Sequence, residues 1–448
     1  MDKINCFWFR RDLRLADNAG LYHALKSGQP VLPVFIFDKI ILDDLEDKAD
    51  ARISFIHQQI ERLGAELKEL GSSILVKFGR PVEVWQEISK DYKIENVFTN
   101  HDFEPYANER DEAVRSLLAK NGIGFKTFKD HVIFEKNEVV KDDGTPYTVF
   151  TPYSRKWLAK LDTHFAEGNK NQKTTENSFF LQSYPTLKYG DKFLKINQLQ
   201  IPSLKSMGFE PTNLGIPTAT VSQNLVSNYD KTRDFPALEG TSRLGLHFRF
   251  GTISIREKAR KAFSLNKTFL NELIWRDFYA MILHQFPQVV GHAFRPEYDR
   301  IRWRNDETEF KAWCDGKTGY PLVDAGMREL NATGHMHNRV RMVTASFLTK
   351  HLLVDWRWGE AYFAKKLLDF DLASNNGGWQ WAAGCGTDAA PYFRIFNPAA
   401  QLEKFDKEMK YVKKWVPEFG TSAYPAPIVD HKTARERCLE TYKMALKD

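Results

Sequence analysis

The 448-residue sequence lacks the features that define several large classes of protein. It has only four cysteines, Cys6, Cys314, Cys385 and Cys438, none in a C-x-x-C pair or at zinc or iron–sulfur spacing. A disulfide scaffold or a thiolate metal centre is therefore not expected, and a reducing compartment fits. No uninterrupted apolar run approaches the ~20 residues of a membrane-spanning helix. Ile4–Phe9 leads straight into Arg10-Arg11-Asp12 rather than into an apolar export signal, so the expectation is a cytoplasmic protein with no membrane partner. The phosphate cradles are missing too. Gly122-Ile123-Gly124 lacks the third glycine of G-x-G-x-x-G, and Asp315-Gly316-Lys317-Thr318 ends like a P-loop but has Lys311 at the upstream glycine position. Neither H-E-x-x-H nor G-x-S-x-G occurs, which argues against zinc proteases and serine hydrolases. No internal repeat or low-complexity tract is evident.

The rest of the composition is ordinary for a globular chain: 42% hydrophobic and 27% charged residues. A formal net charge of +6 permits nucleic-acid binding and equally suits a slightly basic enzyme. Eleven tryptophans and 33 phenylalanines are enough both for cores and for the walls of a flat-ligand site. The length exceeds one ordinary core, so two or more domains are expected.

The first third alternates between two periods. Strand-like runs at Cys6–Phe9, Val31–Phe37, Ile74–Phe78 and Asn96–Thr99 are separated by helical patterns at Ala51–Leu70, Pro81–Asp91 and Asn108–Asn121. Such alternation predicts a doubly wound parallel α/β sheet of Rossmann type. The continuous apolar run Val31–Phe37 suits a strand buried on both faces. From about Gly144 the pattern loosens, and residues 165–235, rich in Asn, Gln, Ser, Thr, Lys and Pro, read as a surface connector. Beyond about Gly240 the period becomes helical, with helices expected over Ser254–Ala262, Lys267–Phe286, Pro321–Ala332, Met336–Leu353, Trp358–Leu368 and Gln401–Lys414. The expected organisation is an α/β domain over residues 1–133, a connector over 134–210 and an all-helical domain over 211–448.

Four segments of the helical part carry chemistry. On a helix through Asn271–Tyr279, the i+3 and i+4 spacing puts Glu272, Trp275, Arg276 and Tyr279 on one face. The alternative is an ordinary surface Glu–Arg pair with a core tryptophan. In His335–Met342, Asn338 and Met342 share a face, whereas His335 and His337, two apart, point away from each other and define no metal site. Asp369–Trp381 packs carboxylates, amides, two glycines and two tryptophans into one stretch, a density that suits backbone lying close to a ligand. Thr241-Ser242-Arg243-Leu244-Gly245 offers two hydroxyls and a guanidinium before a helical stretch. That combination could hold a phosphate, or serve as a plain helix cap.

Taken together, these segments resemble the photolyase/cryptochrome family almost end to end. Trp8–Asn18 is similar to the family's W-F-R-x-D-L-R-x-x-D-N, and Asn271–Tyr279, Gly319–Arg328, Asn375–Trp381 and Gly386–Pro398 follow in the family's order. The resemblance implies an α/β antenna domain and a helical domain that holds FAD and binds DNA. It places Tyr229, Thr241, Ser242, Arg243, Leu244, Gly245, Asn338, Arg341, Asp369 and Asp371 against FAD, with Asn375 facing the flavin N5. Phe269 stands where related enzymes often have a tryptophan near the flavin. Arg233, Glu272, Trp275, Asn338, Arg339, Met342 and Trp381 are implied to meet the lesion, and Arg394 the DNA backbone. Trp379, Trp356 and Trp303 are implied to form an electron-hopping chain.

Within the family, Asn375–Trp381 resembles the pattern of class I cyclobutane pyrimidine dimer photolyases. In photolyases that repair (6-4) photoproducts, a pair of histidines stands where this chain has Asn338 and Met342. A sensory cryptochrome, the alternative reading, often differs at the Asn375 position and carries a long tail beyond a stretch such as Tyr424–Asp430. The substrate so implied is DNA containing pyrimidine dimers, and the oligomeric state a monomer. Asn108-Glu109 resembles part of a folate-binding motif, which leaves methenyltetrahydrofolate, a deazaflavin or a flavin open as antenna chromophore.

Overall fold

The computed structural model describes residues 2–163 and 178–447, so the 164–177 part of the expected connector lies outside the described residues. The chain divides into two compact units that alternate along the sequence. An α/β unit holds Met1–Glu135, Ala159–Thr220 and Leu244–Ser264; a helical unit holds Lys136–Leu158, Val221–Arg243 and Leu265–Asp448. The stretch expected as a connector is thus shared between the two units.

In the α/β unit, five parallel strands, β1 (Ile4–Phe9), β2 (Val31–Asp38), β3 (Leu75–Gly79), β4 (Ile94–Asn100) and β5 (Gly124–Phe128), lie in the order β3-β2-β1-β4-β5. This is the doubly wound order that the alternating pattern predicts. All residues of β1 and β2 are buried, as their continuous apolar character requires. Pro33 interrupts no bond to β3, because that ladder begins one residue later, at Val34 opposite Leu75. The fifth strand was not expected from the sequence. It is a half-buried edge, and Gly122-Ile123-Gly124 leads into it. Helices α1 (Ala19–Lys26), α2 (Ala51–Glu69), α3 (Pro81–Asp91) and α4 (Pro105–Lys120) connect the strands. Asn18 and Asp50 cap the first two, and proline opens the last two.

The polar residues of Trp8–Asn18 build the interior of this unit. Asp12 accepts hydrogen bonds from the Arg10 backbone N–H (2.7 Å) and from Asn100 Nδ2 (2.5 Å), and Asn100 also donates to Asn18 Oδ1 (2.8 Å). Asp130 is fully buried between Arg14 (2.7 Å) and Arg256 (2.8 Å), while Arg256 also binds Asp17 at 2.9 Å. Burial pushes the Asp130 carboxyl up, but the two guanidinium groups outweigh it and hold the carboxyl well below the usual range. The segment after Ser178 lines the same unit, with Thr186 bonded to Asn18 (3.2 Å) and the Leu194 N–H to the Val31 carbonyl (2.9 Å).

In the helical unit, α5 (Lys267–Gln285), α6 (Pro321–Thr333), α7 (Asn338–Ser346), α8 (Trp356–Lys366) and α9 (Leu372–Ala383) carry most of the sequence-predicted site. The expected Met336–Leu353 helix starts later because His337 caps it, and it ends in a π-type turn over Phe347–His351. The expected Gln401–Lys414 helix is two helices, Pro398–Phe405 and Lys410–Trp415. The Asp406 carboxylate accepts from the Tyr411 and Val412 N–H groups (3.1 and 3.0 Å) and so starts a new helix after Met409, whose φ is +56°. In the Gly319–Arg328 stretch, Asp324 gathers the Thr318 and Gly319 N–H groups and the Tyr424 hydroxyl (2.6 Å), a structural role that ties the start of α6 to the 424 region. All four cysteines are buried and unpaired. No helix among the described residues is long and apolar enough to cross a membrane.

Removing the Asp130 carboxylate leaves the buried Arg14 guanidinium without a carboxylate partner and Arg256 with Asp17 alone. Asp130→Ala should therefore lower the stability of the protein by about 3–5 kcal/mol, read by chemical denaturation. Because the folded-state carboxyl is held low, this stabilisation is present at neutral pH and is lost only as the pH falls below the unfolded-state value near 3.8. A loss under 1 kcal/mol would refute the account.

Candidate active site

A cavity of about 440 Å³ opens in the helical unit between α5, α7, α8 and α9. That volume is in the range of small-molecule sites. Asn266 caps α5 by accepting from the Thr268 and Phe269 N–H groups (2.9 and 3.1 Å). The helix then delivers Glu272, Trp275, Arg276 and Tyr279 to one wall, the face their spacing predicts. His337 Nδ1 caps α7 by accepting from the Arg339 N–H (3.2 Å), and burial lowers the imidazole pKa to about 4. A neutral ring suits that position, since a cation is unfavourable at a helix N-terminus. One turn of α7 then presents Asn338, Arg341 and Met342 to the cavity.

The density of Asp369–Trp381 has two separate causes. Asp371 caps α9 through the Ser374 N–H (3.1 Å), so the stretch is mostly helix. A Cβ on Gly377 would lie 2.2 Å from the Tyr279 ring, so this glycine lets α9 approach α5. A Cβ on Gly378 would meet nothing within 4 Å, and Gly378 lines the cavity: there the backbone itself is the wall. Asn375, Trp379 and Trp381 line the same space.

Two ion pairs line the walls. Arg233 Nη1 donates to the Glu272 carboxylate, and Arg341 pairs with Asp369 at 2.9 Å. Burial pushes the Glu272 carboxyl up, and Arg233 opposes the shift. Just behind the wall, the Glu360 backbone carbonyl accepts from Asn375 Nδ2 (3.2 Å), and its Oε1 accepts from Asn376 Nδ2 (3.1 Å). Burial pushes the Glu360 carboxyl up to about 7. A cavity with a bare-backbone cradle, an amide, an Arg–Asp pair and the rings of Trp379 and Phe363 fits a planar heterocycle with polar edges, such as a flavin.

Eleven of the residues implied by the resemblance meet at this cavity: Arg233, Glu272, Trp275, Asn338, Arg341, Met342, Asp369, Asp371, Asn375, Trp379 and Trp381. Arg339 and Arg394 instead line a neighbouring groove of about 470 Å³ with Lys231, Lys404 and Phe405. There Arg339 binds Asp234 (2.7 Å) and lies 4.3 Å from the Phe405 ring. Tyr229 and Phe269 pack on each other, centroids 5.1 Å apart, and are not among the lining residues. The Thr241–Gly245 segment straddles the division of the chain, with Thr241, Ser242 and Arg243 in the helical unit and Leu244 and Gly245 in the α/β unit; Arg243 has a φ of +51°. Trp356 is buried and Trp303 half-buried, both packed in the core cluster that contains Trp379. Asn108 and Glu109 are exposed on α4. Sequence reasoning missed Ala345, Phe363 and Leu367, which line the cavity but carry only the signal of ordinary core residues.

Residues 269–421 match the model for the FAD-binding domain of DNA photolyase, and residues 5–171 the model for DNA photolyase. The chain is 37% identical to the deoxyribodipyrimidine photo-lyase of Halobacterium salinarum, over 99% of this chain and 100% of that protein. Among solved structures it is similar to a class III photolyase from Agrobacterium tumefaciens, with TM-score 0.85, 32% identity and coverage of 100% of this chain and 98% of that one. It is also similar to a photolyase from Sulfolobus tokodaii, described with two FAD molecules, with TM-score 0.78, 34% identity and coverage of 98% and 100%. The chain belongs to the photolyase/cryptochrome family. Its helical unit contains the family's FAD-binding domain.

Glu360 gives the site a pH dependence of known sign. Its carboxyl, raised from 4.5 to about 7, favours the folded state when protonated, so its contribution is full below pH 4.5 and is lost as the pH rises to about 7. Glu360→Gln should therefore be more stable than the parent by about 2–3 kcal/mol at pH 8, with the gain vanishing near pH 4.5. Denaturation curves across that pH range check this, and a pH-independent difference would refute it.

Proposed function

We propose that this chain is a light-driven, class I DNA photolyase that repairs cyclobutane pyrimidine dimers and holds FAD in the cavity of its helical unit. One observation carries the reading: residues suited to a pyrimidine pair, Glu272, Trp275 and Trp381, open into the same space as residues suited to a flavin, Asn375, Arg341 and Asp369. When bound, FAD supplies the light-driven electron that opens the cyclobutane ring.

The chain's own residues do the rest. Trp275 and Trp381 give flat walls on which a flipped-out dimer can stack. Glu272, its carboxyl pushed up by burial and opposed by Arg233, is placed to hydrogen-bond a pyrimidine edge. Asn338 and Met342 offer no imidazole acid, which supports cyclobutane dimers over (6-4) photoproducts. The Asn375–Trp381 pattern supports the class I assignment. Asn375 presents an amide rather than a charge to the flavin edge, and the Arg341–Asp369 pair lines the same wall. Tyr229, Phe269, Asp371 and Thr241–Gly245 complete the FAD contacts in this reading. Arg233, Arg339 and Arg394 meet phosphates.

The close approach of α8 and α9 supports a hopping route from Trp379 through Trp356 to Trp303: a Cβ on Gly359 would lie 2.1 Å from the Trp379 ring. Asn108 and Glu109, exposed on α4, remain the candidate antenna contacts, with a folate, a deazaflavin or a second flavin as ligand. A monomeric, cytoplasmic enzyme is part of the same reading, supported for the compartment by four buried, unpaired thiols.

The test is a repair assay. The purified holoprotein is photoreduced, given an oligonucleotide with one thymine dimer, and compared in blue light and darkness. Intact thymines should return only in the light. Glu272→Ala should slow repair about 100-fold, and Trp275→Ala should weaken dimer binding roughly 10–100-fold. A photoreducible yellow protein that leaves the dimer untouched would overturn the reading in favour of a sensory flavoprotein.

A further inference from the structure

We propose that Phe150 is a positioning residue for the lesion wall, holding the Trp275 indole so that a single face is presented to the cavity. The inference rests on the photolyase reading above and adds to it a residue from the Lys136–Leu158 segment, which the sequence marks only as the start of a connector.

The Phe150 and Trp275 rings lie 3.7 Å apart between centroids and only 4° from parallel. A face-to-face sandwich with so little offset is not the arrangement that aromatic quadrupoles prefer. The surroundings impose it. Phe278 meets both rings at a steep angle, 5.9 Å and 77° from Phe150, 5.6 Å and 80° from Trp275. The Phe150 backbone N–H donates to Asp388 Oδ2 at 3.2 Å, and the Thr387 hydroxyl donates to the Thr148 carbonyl at 2.5 Å, so the Thr387-Asp388 pair fixes the start of the helix Phe150–Thr163. Further along the segment, Trp157 Nε1 donates to Asp277 Oδ2 at 2.9 Å, which anchors it again to α5. Tyr279, tilted by 32° at 5.3 Å, crowds the indole from the next turn.

Phe150 is 8% exposed and is not a cavity-lining residue, whereas Trp275 is one. An indole has two faces. Phe150 covers one, so only the other is left for a base. Stacking a flipped-out pyrimidine pair needs that face at a fixed angle, and undamaged DNA, which keeps its bases in the helix, does not use it. Phe150 therefore acts through Trp275 on the preference for damaged over intact DNA, and it touches neither substrate nor FAD.

The experiment uses the FAD-loaded protein and its Phe150→Leu variant, which keeps an apolar side chain but removes the ring, with Phe150→Met as a second ring-free variant. Dissociation constants are measured in the dark for an oligonucleotide with one thymine dimer and for the same undamaged sequence. Single-turnover repair is measured at saturating dimer. Both variants should bind the dimer about fivefold more weakly, with undamaged binding, FAD content and single-turnover rate unchanged; Phe150→Tyr should restore dimer affinity. Parental dimer affinity in both ring-free variants, or an equal loss on damaged and undamaged DNA, would overturn the inference. If the parent protein shows no preference for the dimer and no repair, the photolyase reading fails first, and this inference with it.

Discussion

The cavity of the helical unit depends on how closely three helices can approach. At Gly377 and Gly359 the side chain is absent because an aromatic ring occupies the place of a Cβ, Tyr279 at one and Trp379 at the other. A methyl group at either position would have to displace an aromatic ring, half-buried Tyr279 at one and buried Trp379 at the other. The approach brings α9 against both α5 and α8, so amides, indoles and carboxylates from distant parts of the sequence share one space. The third glycine, Gly378, has the opposite relation to its surroundings: it faces open volume, and a ligand can reach the backbone there.

Around this frame, four of the charged groups on the cavity wall are joined in two ion pairs. Arg233 binds Glu272 and Arg341 binds Asp369, so these four groups present paired ions rather than single charges. Such a wall can hold a polar heterocycle without demanding a charged one. The buried Glu360 carboxyl lies behind this wall, bonded to the amide beside Asn375, so the protonation of one hidden group is linked to the packing of the site.

Much of this was legible in the sequence, for physical reasons. Strands β1, β2 and β4 announce themselves because they are largely apolar and buried, and β3, an edge with only Val76 buried, through the apolar run Ile74-Leu75-Val76. Strand β5 does not, being a half-buried edge with Lys126 pointing out. Glu272, Trp275, Arg276 and Tyr279 could be placed on one wall because helical spacing fixes which residues share a face. Helix α9 was harder to see: its polar residues turn toward the cavity and its neighbours, so no apolar stripe marks it. The helix break at Asp406 depends on a side chain bonding backbone five and six residues ahead, which periodicity does not register. Phe150 was out of reach for the same kind of reason, since its partner lies more than a hundred residues downstream and nothing local links the two.

The alternation of the two units along the chain bears on how the protein is made. Asp130 leaves the ribosome with Arg14 already available, but its second partner, Arg256, is synthesised more than a hundred residues later. Until then the nascent α/β unit holds a carboxylate built for two cations with only one in place. Segments of the helical unit emerge in the meantime. Completion of the first unit is thus delayed until the whole connector and two segments of the helical unit have been translated, and the buried network closes late, over a long sequence separation.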